Sequence, residues 1–315
     1  MNTVLGLDAG GTRTRWALAD GQGKVLDEGA VGGLTALLMG HEAGREQVRT
    51  VLAGLADSLA SRHDVPAPAQ MVLGITGYSD DETLRARLQT LVAELFRLPQ
   101  KAVTILADVE LACRTAFAPG AGYLVYAGTG SIGAFVDAVG IFHRVGGRGS
   151  VLGDPGSGHW IACEAMRGIW RREDEDPGCW RHSALAQSVF ARVGGSDWTR
   201  SRDFIHQGTR GEVGTLALAV AAAADNDPLA REILQRAGTH LGQLALTLMR
   251  RFGSRQVVFA GRVMELHPLV SEAARATLPS GTAIRCETLL AHHGAAALAA
   301  RAHNMQPPFH QPAQA

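Results

Sequence analysis

Thr3 to Asp20 reads TVLGLDAGGTRTRWALAD: an apolar strand, a glycine and threonine turn, and a second strand. Behind the GQGK turn, Val25 to Ala30 supply a third strand, and the alternation with glycine turns predicts antiparallel hairpins. Gly122 to Gly147 repeats this order as GYLVYAGTGSIGAFVDAVGIFHRVGG, with the turn Gly128-Thr129-Gly130-Ser131 standing where Ala9-Gly10-Gly11-Thr12 stood before. The recurrence reads as an internal duplication.

Working outward, the spacing of apolar residues predicts helices over Glu42 to Ser61 and Asp80 to Phe96, with short buried strands at Met71 to Thr76 and Ala102 to Ala107. Asp108 opens a helix to about Phe117, and APGAG at 118–122 marks a boundary. Beyond the second set of strands the chain reads as mainly helical: Trp160 to Trp170, Ser183 to Val193, Glu212 to Ala224 and Pro228 to Phe252. Strands follow at Gln256 to Ala260 and Ala283 to Glu287, and a last helix at His292 to His303. The charged stretch Arg171 to Pro177 reads as a solvated loop. The expected division is 1–117, 118–303, with the last helix free to pack back on the first domain, and a Pro- and Gln-rich tail at 304–315.

Composition narrows the chemistry. Thirty basic and thirty acidic residues cancel and are interspersed, which argues against nucleic-acid or acidic-lipid partners. The longest nearly unbroken apolar run, Val213 to Ala224, is too short to cross a bilayer, and no leader-like segment opens the chain. A cytoplasmic, membrane-free protein is expected, with a homodimer left open. The cysteines Cys113, Cys163, Cys179 and Cys286 are far apart, without a CxxC, so free thiols are expected rather than a metal ribbon or a disulfide scaffold. His292 and His293 have no acidic or cysteine motif beside them and read as packing or surface residues. Glycine accounts for 38 of 315 residues, about 12% of the chain against roughly 7% in typical soluble proteins.

The two turns give that excess a use. Backbone N–H groups bared by glycine can approach phosphate oxygens, and the hydroxyls of Thr12 and Thr129 add side-chain donors. Asp8, just before the first turn, can orient water on a magnesium ion. Two such turns facing each other would clamp a polyphosphate. No GxxxxGK[ST] motif is present, and the two lysines, Lys24 and Lys101, follow no such loop, so phosphate recognition falls to amides, to Thr12 and Thr129, and to Arg13. Asp108, at a strand end opening a helix, suits both an N-cap and a base.

Taken in order, DAGGTRT, LADVELA, YAGTGSIG, GGRGSVLGDPGSGHWI and VVFAGRV resemble the sugar-kinase/heat-shock-protein/actin ATPase superfamily. Within it the chain is most similar to the N-acetylglucosamine kinase and BadF/BadG/BcrA/BcrD-type ATPase family, over about residues 4 to 300. The resemblance implies an α/β fold of two actin-like, ribonuclease H-like ATPase domains. Each would be a mixed five-stranded sheet with flanking helices, closing a cleft over ATP, Mg2+ and a sugar acceptor. It implies phosphate contacts at Asp8, Gly10, Gly11, Thr12, Gly128, Thr129 and Gly130, an adenosine-side glycine at Gly261, and a water-mediated Mg2+ contact at Asp8. Asp108 would be the catalytic base and touch the sugar, which Thr35, Gly147, Arg148 and Asp154 would also contact. The implied activity is phosphorylation of an amino sugar, N-acetylglucosamine or glucosamine, at the 6-hydroxyl.

Five positions depart from the family pattern. Ala9 stands for a frequent third glycine, Arg148 for a tryptophan, Pro155 for a glutamate and Arg262 for a second glycine, and Thr35 is the nearest polar residue to a usual asparagine. An arginine at 148 exchanges a stacking platform for a five-donor cation, which could suit an acidic acceptor. Two other readings remain. A dehydratase- or reductase-activating ATPase would need cysteines for a shared iron–sulfur cluster, and here they are dispersed. A non-catalytic sugar sensor would need a DNA-binding extension, and none precedes residue 4.

Overall fold

The computed structural model describes residues 2–62 and 66–305, which divide into two compact units, one of the described residues up to Thr115 together with those from Leu290 on, the other Ala116–Leu289. In chain order the first unit contributes β1 (Thr3–Ala9), β2 (Arg13–Asp20), β3 (Val25–Gly32), α1 (Glu42–Ala60), β4 (Pro68–Ile75), α2 (Glu82–Leu95), β5 (Val103–Ala107) and α3 (Asp108–Ala116). The second contributes β6 (Gly122–Ala127), β7 (Ser131–Val136), β8 (Phe142–Gly146), α4 (Gly149–Leu152) and α5 (Gly158–Glu175). It continues with α6 (Ala184–Val193), α7 (Trp198–Gln207), α8 (Arg210–Gly214), α9 (Ala217–Ala223), α10 (Pro228–Phe252), β9 (Gln256–Ala260), α11 (Pro268–Ala276) and β10 (Ile284–Glu287). The last helix, α12 (Ala291–Met305), belongs to the first unit. Of the expected tail, Asn304 and Met305 are in α12, and 306–315 lie outside the described residues.

The sheet of the first unit runs β3-β2-β1-β4-β5 and that of the second β10-β9-β6-β7-β8. In both, the opening strand has an antiparallel hairpin on one side and two parallel strands on the other, so the duplication seen in the motifs is also a duplication of topology. Each sheet is thus mixed and five-stranded, with helices on its faces.

Side-chain patterning accounts for the layers. β1 and β4 are almost wholly buried, as parallel strands covered on both faces must be, whereas edge strand β3 alternates partly buried with exposed residues. One face carries Leu5, Leu7, Leu73 and Ile105 under Val48, Leu52, Leu55 and Leu59 of α1 and Leu88, Leu91 and Val92 of α2. The other carries Val4, Ala17, Ala19 and Val72 under the alanines of α12, whose small side chains bring the helix backbone down onto β1. A Cβ added at Gly6 would stand 2.1 Å from the Ala296 nitrogen, so this contact requires glycine.

Several helices differ from expectation. α5 continues through Arg171 to Glu175, where a solvated loop was expected, because these are good helix formers on exposed turns. Glu173 then accepts from the Gly178 and Trp180 amides at 2.9 and 2.6 Å and ends the helix. The single helix expected over Glu212 to Ala224 is two, broken at Thr215 and Leu216. α7 and α11 were not expected at all; both rest on local caps, Asp197 accepting from the Arg200 amide at 3.0 Å and His267 from that of Leu269 at 3.3 Å before Pro268. No helix among the described residues is long and apolar enough to cross a membrane.

Candidate active site

In the first unit, the parallel register sets Ala9 opposite Ile75 and Ile75 opposite Ala107, so the three strands end level. Asp8, Thr76 and Asp108 therefore collect at the carboxyl end of the parallel strands, the end at which open α/β sheets bind ligands. Thr76 ties this end together. Its amide donates to the Ala9 carbonyl at 3.0 Å, and its carbonyl accepts from the Ala36 amide at 2.9 Å and the Thr35 hydroxyl at 3.1 Å. The Thr76 side chain is also hydrogen-bonded to the Asp108 carboxylate. The first turn closes through the Gly10 amide on the Arg13 carbonyl at 3.1 Å, and the Gly10 carbonyl accepts from Leu34 at 2.9 Å. Gly11 and Thr12 stand exposed at its tip.

Asp8 and Asp108 are both partly buried. Burial first, then the negative charge of Asp108, pushes the Asp8 carboxyl up to about 6, against the pull of Arg15. Burial likewise raises Asp108 above the usual carboxylate range, opposed by the Val109 amide, which donates to Oδ1 at 2.8 Å, and by Thr76. Two carboxylates in mutual repulsion, under a turn with free amides, are a donor set that a divalent cation relieves, so these residues fit Mg2+.

This strain carries a stability signature. The folded-state value of Asp8 lies above the ordinary 3.8, so its contribution to the fold is present in full below pH 3.8 and is lost as pH rises through about 6. Asp8→Asn is therefore expected to be more stable than the parent at pH 7.5 without Mg2+, by up to about 3 kcal/mol, with the gap closing towards pH 4. Urea unfolding in EDTA at the two pH values checks this; a variant less stable at pH 7.5 would contradict it.

In the second unit, the turn after β6 is held from behind by α5. The Gly158 amide donates to the Gly128 carbonyl at 2.8 Å and the His159 amide to the Thr129 carbonyl at 3.3 Å. A trans peptide points its N–H opposite its C=O, so the amides of Thr129 and Gly130 are turned away from the helix, a disposition suited to an anion. Beside them lies a groove lined by Gly211, Gly214, Thr215, Leu218, Arg262 and Leu266 together with Gly128 and Thr129. Its glycines and apolar wall suit a flat ring. A larger surface trough between α1 and α2, rich in charges of both signs, contains none of the candidate residues.

Gly261 ends β9 with φ at +96°, and a Cβ there would stand 2.3 Å from the Ala127 carbonyl oxygen, directly before the second turn. Asp154, at φ +59°, is buried against that turn: a Cβ on Gly130 would be 2.9 Å from its Oδ2. The same Oδ2 accepts from Arg210 Nη2 at 2.6 Å, while Oδ1 is buried with no partner among the described residues. Arg210 opens α8 behind the Thr209 and Glu212 capping box, which fixes its backbone beside the turn. Gly147 donates its amide to Ser131 at 3.1 Å, and Arg148 is exposed, with no hydrogen bond or ion pair among the described residues.

Within the first unit, Asp8, Gly10, Thr35 and Asp108 are thus joined through Thr76 and the first turn. In the second, Gly128, Thr129, Gly130, Asp154 and Gly261 surround one turn, with Gly147 and Arg148 one strand away. Sequence reading missed Thr76, Arg210 and the groove residues Gly211, Gly214 and Thr215. Thr76 had a signal, since it directly follows the middle parallel strand, as Asp108 directly follows its neighbour, and the Ile75 to Ala107 pairing sets the two level. Arg210 had none, as its partner Asp154 lies 56 positions away.

Comparison with known proteins bears on the fold and the family. Glucosamine kinase GspK of Vibrio cholerae serotype O1 is 24% identical over 273 residues, covering 84% of this chain and 86% of that protein. Among solved structures, a candidate N-acetylglucosamine kinase from Chromobacterium violaceum superposes with a TM-score of 0.71 at 22% identity, covering 95% of this chain and 98% of that one. A ROK family glucokinase from Streptomyces griseus, in complex with glucose and AMPPNP, gives 0.56 at 18% identity, covering 96% and 100%. The model of the BadF/BadG/BcrA/BcrD ATPase family matches residues 5–280, and with both sheets and both turns in place the chain belongs to that family.

Proposed function

We propose that this protein transfers the γ-phosphoryl group of ATP to the 6-hydroxyl of an amino sugar, N-acetylglucosamine or glucosamine. The observation that carries the reading is the Asp8 and Asp108 pair at the ends of the parallel strands, one carboxyl raised to about 6 and the other above its ordinary range. Raised carboxyls at a strand edge are poised for proton transfer near neutral pH. The sugar class rests on the similarity to a glucosamine kinase and to a candidate N-acetylglucosamine kinase.

In this reading Asp108 takes the proton as the acceptor oxygen forms its bond to the γ-phosphorus and the bond to the β-phosphate oxygen breaks, leaving ADP. The amides of Thr129 and Gly130 and the hydroxyls of Thr12 and Thr129 bind phosphate oxygens. Asp154 holds Arg210 beside Gly130, where the guanidinium adds a positive charge to the second turn. The groove with Gly261 at its side takes the adenosine. Asp8 would hold Mg2+ through water, and the ion, when bound, neutralises charge on the transferring phosphates.

The test is ADP release from the purified protein across amino sugars, plain hexoses and acidic sugars, the last included because Arg148 is exposed beside Gly147. N-acetylglucosamine or glucosamine is expected to stimulate ADP release at least tenfold over the sugar-free rate. Hydrolysis unmoved by any acceptor would favour an ATPase that drives a partner protein.

A further inference from the structure

A second cluster of ionisable side chains lies in the first unit, outside the residues assigned to phosphoryl transfer. Glu28 stands on edge strand β3, paired with Ala17. Residues paired across antiparallel strands share a face, and Ala17 packs beneath α12, so Glu28 is on the face that α12 covers. The first turn of α12 brings His292 and His293 to it. Nε2 of His292 is 3.2 Å from Glu28 Oε2, and Nε2 of His293 contacts the same oxygen. The two rings are T-shaped, with centroids 4.4 Å apart, and one ligand atom from each of the three residues lies within 4.8 Å of the others.

We propose that Glu28, His292 and His293 form a binding site for a divalent cation of the zinc class, clipping the last helix to the edge strand. Two imidazole nitrogens and one carboxylate oxygen are the donor set of three-ligand zinc sites, with the fourth position open to water. Ligand bonds of about 2.1 Å in a tetrahedral shell put neighbouring donors roughly 3.4 Å apart, close to the separation already present between His292 and Glu28.

His292 is 5% exposed, and Nδ1 has no partner among the described residues, so its hydrogen bonding comes from the Glu28 side alone. Arg15 and the positive end of α12 oppose a cation here, which makes Glu28 the compensating charge. In the sequence no acidic motif stands beside the histidine pair, and the structure supplies one in Glu28, 264 positions before His292.

Zinc titration of untagged, EDTA-stripped protein, followed by gel filtration and metal analysis, tests the site without reference to kinase activity. The parent chain is expected to retain about one equivalent of zinc and to melt at a higher temperature with it. Loaded with Co2+, it should show the visible bands of a four-coordinate complex. Glu28→Gln and His293→Asn are each expected to weaken zinc at least 100-fold, with circular dichroism and ATP binding unchanged. Zinc retained equally by both variants, or not retained by the parent, would overturn the proposal. So would variants that shift the melting temperature alike with and without zinc, since the three residues would then be only a hydrogen-bonded tie.

Discussion

Asp108→Asn is expected to lower kcat by about 10²- to 10⁴-fold while leaving ATP affinity within roughly threefold of the parent. Asparagine keeps the shape of the side chain and can still accept from the Val109 amide, so the start of α3 is preserved. What is lost is a carboxylate whose affinity for a proton is raised by burial. The parent should also show an acid limb in kcat/KM above the ordinary carboxylate range, belonging to the coupled Asp8 and Asp108 pair. Nucleotide titration and a pH–rate profile check both points, and near-normal turnover in the variant would remove Asp108 from the mechanism.

Gly261→Ala is expected to weaken ATP at least tenfold. A Cβ there meets the Ala127 carbonyl at 2.3 Å, and backbone cannot yield as a side-chain tip can. The positive φ adds about 1–2 kcal/mol of strain. Relief means moving the end of β9 away from β6, and that displaces Ala127, the residue before Gly128. Gly194→Ala separates strain from displacement: φ is +87°, but nothing lies within 4 Å of the added carbon. That control should lose stability and keep ATP affinity. Equal nucleotide affinity in both variants would show that Gly261 does not shape the groove.

Much of this was legible because it is local. The hairpin of β1 and β2 was readable from alternation around a glycine turn, and α10 from an Asp227-Pro228 start and an uninterrupted apolar stripe. The repeated strand and turn order carried over into matching sheet orders, since each repeat uses the same pairing chemistry. Asp8 and Asp108 could be singled out because each sits at the end of a short apolar run.

Two kinds of feature escaped. Short helices started by local caps, α7 and α11, span only ten and nine residues, too few turns for their apolar spacing to be told from a loop. Pairings across long stretches of chain give none in themselves, even where one partner, as with Thr76, stands at a recognisable strand end. Arg210 with Asp154, Thr76 with Asp108, and Glu28 with the two histidines are made by tertiary packing. The first of these also sharpens the role of Asp154: sequence analysis assigned it to sugar hydroxyls, yet one oxygen already binds Arg210, leaving Oδ1 as the free acceptor.

The most direct test is 31P NMR of the purified protein with Mg2+, ATP and either N-acetylglucosamine or glucosamine. The account predicts that ADP and a sugar phosphomonoester grow in a one-to-one ratio, with the new phosphorus coupled to the two protons on the sugar's sixth carbon, and that Asp108→Asn abolishes both. Inorganic phosphate equal to the ADP formed with either sugar, and no phosphomonoester, would contradict it.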